Sequence, residues 1–110
     1  MIDGATQQTI VIDYDGTWTL DPIAFAAFAR MMRGRGHRVI VITARATGHG
    51  EVERETSAHV DRVLFSRGAP KRDCAVENGE SVSVWIDDDP ESIGASPMTQ
   101  ALRGDARRWE

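Results

Sequence analysis

The 110-residue sequence has one cysteine, Cys74, which excludes an internal disulfide framework and a multi-cysteine metal site. It has no apolar run approaching the roughly 20 residues that a membrane helix needs. The stretch Met1 to Gln8 is short and polar, without the apolar centre of a signal peptide. These absences predict a reduced, cytoplasmic setting and no membrane partner. Positive charge is in deficit, with 13 basic against 17 acidic residues and a net charge of −4. That argues against binding nucleic acid by bulk charge, though not against a local basic patch. There is no internal repeat, low-complexity segment or linker, and the length suits one domain. The hydrophobic share of 41% is enough for one modest core.

Apolar runs and breakers alternate along the chain. Thr9-Ile10-Val11-Ile12 reads as a strand buried on both faces, as parallel strands are. Val39-Ile40-Val41-Ile42 repeats that signature, Val63-Leu64-Phe65 predicts a third strand, and Ser81 to Ile86 a fourth. Helices are predicted between them. The first runs over Ile23 to Arg33, opened by Asp21-Pro22 and stopped by Gly34 and Gly36. It is apolar nearly all round, and Phe25, Phe28, Met31 and Met32 are expected in the core. Glu51 to His59 and Pro70 to Asn78 are the next two, the latter closed by Asn78-Gly79. Asp89-Pro90 and Ser96-Pro97 predict one or two short final helices, with Asp89 as an N-cap, before a charged tail over Arg103 to Glu110. Four strand–helix alternations predict a three-layer α/β, Rossmann-like domain. Its sheet is small and mostly parallel, with four or five strands.

Ligands of such sheets bind at the carboxyl ends of the strands. Asp13 and Asp15 follow the first strand, Thr43 the second and Asp87, Asp88 and Asp89 the fourth, while the loop after the third leads to Lys71. Carboxylates gathered there repel one another. A divalent cation resolves the conflict, and an oxygen-only site without His or Cys suits Mg²⁺. The same arrangement can transfer phosphoryl groups. One carboxylate attacks phosphorus, and a second carboxyl two residues on protonates the leaving oxygen. The metal and the lysine stabilise the charge that develops. Gly16 allows a sharp turn, and Thr17 can brace the loop.

Asp13-Tyr14-Asp15-Gly16-Thr17, Val39-Ile40-Val41-Ile42-Thr43, Lys71, and Val84-Trp85-Ile86-Asp87-Asp88 resemble the four motifs of the haloacid dehalogenase (HAD) superfamily, in the family's order. The resemblance covers residues 9–93. It implies that Asp13 is the nucleophile and a metal ligand. Asp15 would be the general acid and base and would lend its backbone carbonyl to the metal. Thr43 and Lys71 would hold the phosphoryl group, and Asp88 with Asp87 would complete the Mg²⁺ sphere. An acid at the Asp15 position points to a phosphatase. Thr17 to Asp21 and Ser66 to Ala69 are too short to hold a cap, so 1–110 resembles a single capless unit.

The implied substrate is a phosphomonoester: a small molecule, a phosphoprotein or a polynucleotide end. In a capless member a second subunit of a homo-oligomer can supply the lid. The acidic balance weighs against nucleic acid, and the Arg-rich stretch Arg30 to Arg38 weighs for it. Arg45 and His49 are candidates for touching substrate or for plain surface, and Trp18 for a pocket wall or the core. One rival is a non-catalytic metal- and phosphate-binding regulatory domain. A receiver-like signalling domain is a related alternative, but there the acidic pair follows the first strand and the phospho-acceptor comes two strands later.

Overall fold

The computed structural model describes residues 6–46 and 50–95. Four short apolar runs form its strands: β1 (Thr9–Ile12), β2 (Arg38–Thr43), β3 (Arg62–Phe65) and β4 (Val84–Ile86). All neighbours pair in parallel, in the order β3-β2-β1-β4. Three helices connect them: α1 (Pro22–Gly34), α2 (Glu51–Thr56) and α3 (Lys71–Glu77). Single 3₁₀ turns lie at Trp18–Leu20 and Pro90–Ser92. The fold is α/β and compatible with a Rossmann-like arrangement. Among the described residues the sheet has four strands, and no helix is long and apolar enough to cross a membrane.

The central strands explain their own composition. β2 has a neighbour on each edge and apolar packing on each face, and Val39, Ile40, Val41 and Ile42 are wholly buried. Alternate residues go to different clusters, as a period of two requires. Ile10, Ile12, Val39 and Val41 pack with Ala29 of α1 and Val52 of α2. Val11, Ile40, Ile42 and Leu64 pack with Cys74 and Ala75 of α3. Each buried Val, Leu or Ile among them contributes about 1.5–3 kcal/mol through burial. α1 starts where the Asp21 carboxylate accepts the Ala24 N–H at 3.1 Å, with Pro22 at its first position. It ends at Gly34, and Gly36 just beyond, with a φ of +90° that suits glycine, turns the chain out of the helix.

Several local expectations need correction. Met31 is 57% exposed and Ile23 85%, so α1 is not apolar-facing all round. Its packed stripe is Phe25, Ala26, Phe28 and Met32 around buried Ala29. α2 stops at Thr56 rather than His59; the His59 ring stacks on Trp18, 6.2 Å between centroids. β4 starts at Val84 rather than Ser81, although the Ser83 N–H already donates to the Thr9 carbonyl at 2.9 Å. Asp89 sits at the cap position of the last 3₁₀ turn, but its side chain makes no capping bond. Its carbonyl accepts from Ser92 instead. His49, the Ser96-Pro97 helix start and the tail over Arg103 to Glu110 lie outside the described residues.

At the amino end of the sheet, Glu80 ties the strands together. Its carboxylate takes Arg38 Nε and Nη2 at 2.8 and 2.7 Å, and Arg62 Nη1 at 3.0 Å. The Arg38 hydrogen bonds hold its carboxyl below the usual range against the opposing effect of burial, with help from Arg62. A lowered carboxyl stabilises the fold above its unfolded value and loses that contribution as pH falls. Glu80→Gln is expected to cost about 1–2 kcal/mol at neutral pH, the low end for charged hydrogen bonds because both arginines are partly screened by solvent. Urea melts of the two proteins should converge as pH drops below the ordinary carboxylate range.

Candidate active site

The carboxyl ends of β1 and β4 lie side by side, because Ile12 pairs with Ile86 in parallel register. The next residues in each chain segment, Asp13 and Asp87, therefore emerge together. The Asp13 N–H continues the ladder to the Ile86 carbonyl at 2.9 Å. α3 delivers the third group. Lys71, its first residue, is only 2% exposed, and its ammonium donates to Asp13 Oδ1 at 2.7 Å and Asp87 Oδ2 at 2.6 Å.

Thr17 braces the opposite side. Its hydroxyl lies 3.3 Å from Asp13 Oδ2 and 3.2 Å from Asp88 Oδ1, with one proton to donate, and it accepts the Asp88 N–H at 3.1 Å. Gly16 makes the turn between Asp13 and Thr17 with a φ of +83°. A Cβ there would collide with the Asp88 carboxylate, so the position needs glycine for space as well as for conformation. Tyr14 turns away into the core, and its hydroxyl donates to Glu55 at 2.7 Å. Burial, followed by that bond, pushes the Tyr14 hydroxyl up to about 12.

Asp13, Asp15, Lys71, Asp87 and Asp88 line a cavity of about 220 Å³, and Ala44, Asp89 and Ser92 complete its wall. Asp89 was expected only as a cap, and Ser92 was not expected here. Ser92 Oγ lies 3.2 Å from Asp87 Oδ2, and the Asp89 N–H donates to Asp87 Oδ1 at 2.9 Å. A tight Asp-Asp-Asp-Pro turn curls the chain back over Asp87. The repeat of acids hints at that turn, but no sequence feature marks Ser92. Thr43 ends β2, is wholly buried, and accepts the Arg45 N–H at 3.3 Å. The wall passes through Ala44 beside it. Trp18 is in the core, stacked on Phe25 as well as His59.

Asp15 is exposed, and both its oxygens are taken. Arg45 Nε and Nη2 grip them at 2.8 and 2.7 Å, while Nη1 reaches Glu51 at 2.7 Å. The Arg45 guanidinium also lies 5.2 Å from the Tyr14 ring centroid.

Charge is unbalanced at Asp13. Burial pushes its carboxyl up to about 6; the Lys71 hydrogen bond opposes this, and the neighbouring Asp88 and Asp87 carboxylates add to it. For Lys71, burial pulls downward, but the hydrogen bonds to Asp13 and Asp87 outweigh it and the ammonium is held above its usual value. Asp88 is held low, chiefly by its hydrogen bond with Asp13. Asp13, Asp87 and Asp88 each present a carboxylate oxygen, all within 4.8 Å of one another. Three hard oxygen donors without nitrogen or sulfur fit a cation such as Mg²⁺. Asp87 already accepts from Lys71, Ser92 and Asp89, whereas the Asp88 carboxylate accepts from Thr17, leaving Asp88 the freer ligand. The chain matches no family model, no curated protein and no solved structure.

A raised carboxyl takes up a proton on folding, so it favours the folded state at low pH and that contribution is lost as pH rises through about 6. Asn at position 13 has the shape of the protonated acid and escapes this loss. In chelator at neutral pH, Asp13→Asn should melt above the unsubstituted chain, by up to about 3 kcal/mol at about 1.4 kcal/mol per pKa unit. The gap should shrink as pH falls through about 6 and close below the ordinary Asp value of 3.8, where Asp13 is protonated in both states. A destabilised Asp13→Asn at neutral pH would contradict this charge balance.

Proposed function

We propose that the chain is a capless, HAD-like phosphatase that hydrolyses a phosphomonoester through an aspartyl-phosphate on Asp13, with Mg²⁺ as cofactor. The reading includes a single three-layer unit over 1–110 in the cytoplasm. One observation carries it: buried Lys71 bridges Asp13 and Asp87, with Asp88 alongside, at the carboxyl ends of two adjacent parallel strands. The division of the sheet's side chains between two helix-bearing clusters supports the layered fold.

Asp13, Asp87 and Asp88 would hold the cation, with the Asp15 backbone carbonyl as a further ligand. Bound there, it would offset charge on the phosphoryl oxygens. The Asp13 carboxylate attacks phosphorus; an O–P bond forms as the ester P–O bond breaks. The leaving oxygen takes a proton from Asp15. Asp15 next takes a proton from water as the water oxygen attacks phosphorus. The bond to Asp13 breaks, and inorganic phosphate leaves. Lys71 keeps Asp13 aligned and balances charge on the equatorial oxygens.

Substrate size follows from charge. The basic stretch before β2 is largely consumed: Arg33 pairs with Asp61 and Arg38 with Glu80, at the end of the sheet away from Asp13. This favours a small phosphoester over a polynucleotide end. One observation favours a non-catalytic binding domain instead, namely the Arg45 fork on both Asp15 oxygens.

Turnover separates the two. The chain should hydrolyse an aryl phosphate with Mg²⁺ and stop in excess chelator. Lys71→Ala should lose at least about 10²-fold, as when one preorganised electrostatic donor is removed. Arg72→Ala is the control, since that guanidinium lies over the Trp85 ring, outside the cavity. Full turnover in chelator or in Lys71→Ala would contradict the proposal.

A further inference from the structure

In a phosphatase of this kind the Arg45 fork poses a geometric problem. Asp15 has to reach the leaving oxygen, yet both its carboxylate oxygens accept from Arg45. When Asp15 turns to the substrate, Arg45 Nε and Nη2 lose their partner. The guanidinium is not free to follow. Nη1 is held by Glu51 at the start of α2, and the cation lies against the Tyr14 ring. Tyr14 is itself buried and fixed by Glu55. Two parallel N–H donors would then stand open beside Asp15, which lines the cavity.

That vacated fork has defined chemistry. Two guanidinium N–H groups in this geometry match the two oxygens of one carboxylate, which is what they hold now. Lys71 cannot serve the same need, since it is buried between Asp13 and Asp87. Asp15, Asp87, Asp88 and Asp89 otherwise line the cavity with negative charge. A leaving group bearing an anion would be repelled there unless Arg45 met it.

Resting on the phosphatase reading of this site, we infer that Arg45 is its substrate-recognising cation, and that the substrate is a phosphorylated hydroxy acid whose carboxylate replaces Asp15 in the Arg45 fork. Asp15 and the substrate carboxylate exchange places: binding of the correct acid frees the Asp15 carboxylate from Arg45, so that it can take a proton from solvent and carry it to the ester oxygen. A phosphoester with a neutral leaving group offers nothing to replace Asp15, so it leaves the fork closed. An aryl phosphate still reacts, more slowly, because its phenolate can leave without a proton from Asp15. Selectivity then comes from the loop after β2, without a cap.

The test is binding, with two unreactive phosphonates of matched shape. Phosphonopropionate carries a carboxylate two methylenes from phosphorus; propylphosphonate has a methyl group in its place. Isothermal titration of the full chain with Mg²⁺ should give a Kd at least about tenfold lower for phosphonopropionate, the scale of one charged, two-pronged contact. In Arg45→Gln the two dissociation constants should come within about twofold of each other, since the fork is gone. Equal affinity in the unsubstituted chain, or a preference that survives Arg45→Gln, would overturn the inference alone. If neither phosphonate binds, the phosphate-site reading falls with it.

Discussion

The ammonium of Lys71, set between two carboxylates that the sheet forces together, is the contact on which the rest of this site depends. Parallel pairing of β1 with β4 brings Asp13 and Asp87 to one edge whatever their charges. Removing such groups from water costs several kcal/mol per ion unless each finds partners. Lys71 supplies one positive charge to both, from the first position of α3, where the helix dipole disfavours a cation by about 0.3–1 kcal/mol. The carboxylates offset that cost. It is the chain's single lysine; the other 12 basic residues are arginines. A compact ammonium fits between two carboxylates where a planar guanidinium, with its fixed fork, would force them apart.

In the proposed reaction the two cations at this edge divide the work by shape. Lys71 is a point charge buried where alignment of Asp13 matters. Arg45 is a fork on the surface, where a flat two-oxygen group can enter and leave. Burial drives the Asp13 carboxyl up further than the Lys71 ammonium can pull it down, and the neighbouring Asp88 and Asp87 carboxylates add to the rise. The proposed cation would offset the remaining negative charge at the site these carboxylates form. Thr17 and Gly16 support it from below: the hydroxyl spans Asp13 and Asp88, and the absence of a Cβ at Gly16 leaves Asp88 its place.

Much of the architecture is legible in the sequence because parallel strands buried on both faces have few ways to look. Ile10 to Ile12 and Val39 to Ile42 read as such strands and are such strands. Asp21-Pro22 and Asn78-Gly79 mark real helix ends, since caps act through local geometry. Asp13, Lys71, Asp87 and Asp88 come together as strand-end logic expects. What stayed hidden depends on neighbours distant in sequence. Met31 looks like core, but helix rotation is set by which residues meet β2, and it faces water. Thr43 sits at the expected strand end, yet its hydroxyl meets the Arg45 N–H. The Arg45 grip on Asp15 spans 30 residues, and no local pattern announces it.

The central claim is that Asp13 is the residue that takes the phosphoryl group. A crystal structure of the chain with Mg²⁺ and beryllium fluoride tests it most directly, because beryllofluoride bonds to the carboxylate that would carry phosphate. The account predicts beryllofluoride on an Asp13 oxygen, with Lys71 against its fluorines and Asp88 on the metal. Beryllofluoride on Asp87 or Asp88, or a metal site formed without Asp13, would contradict it.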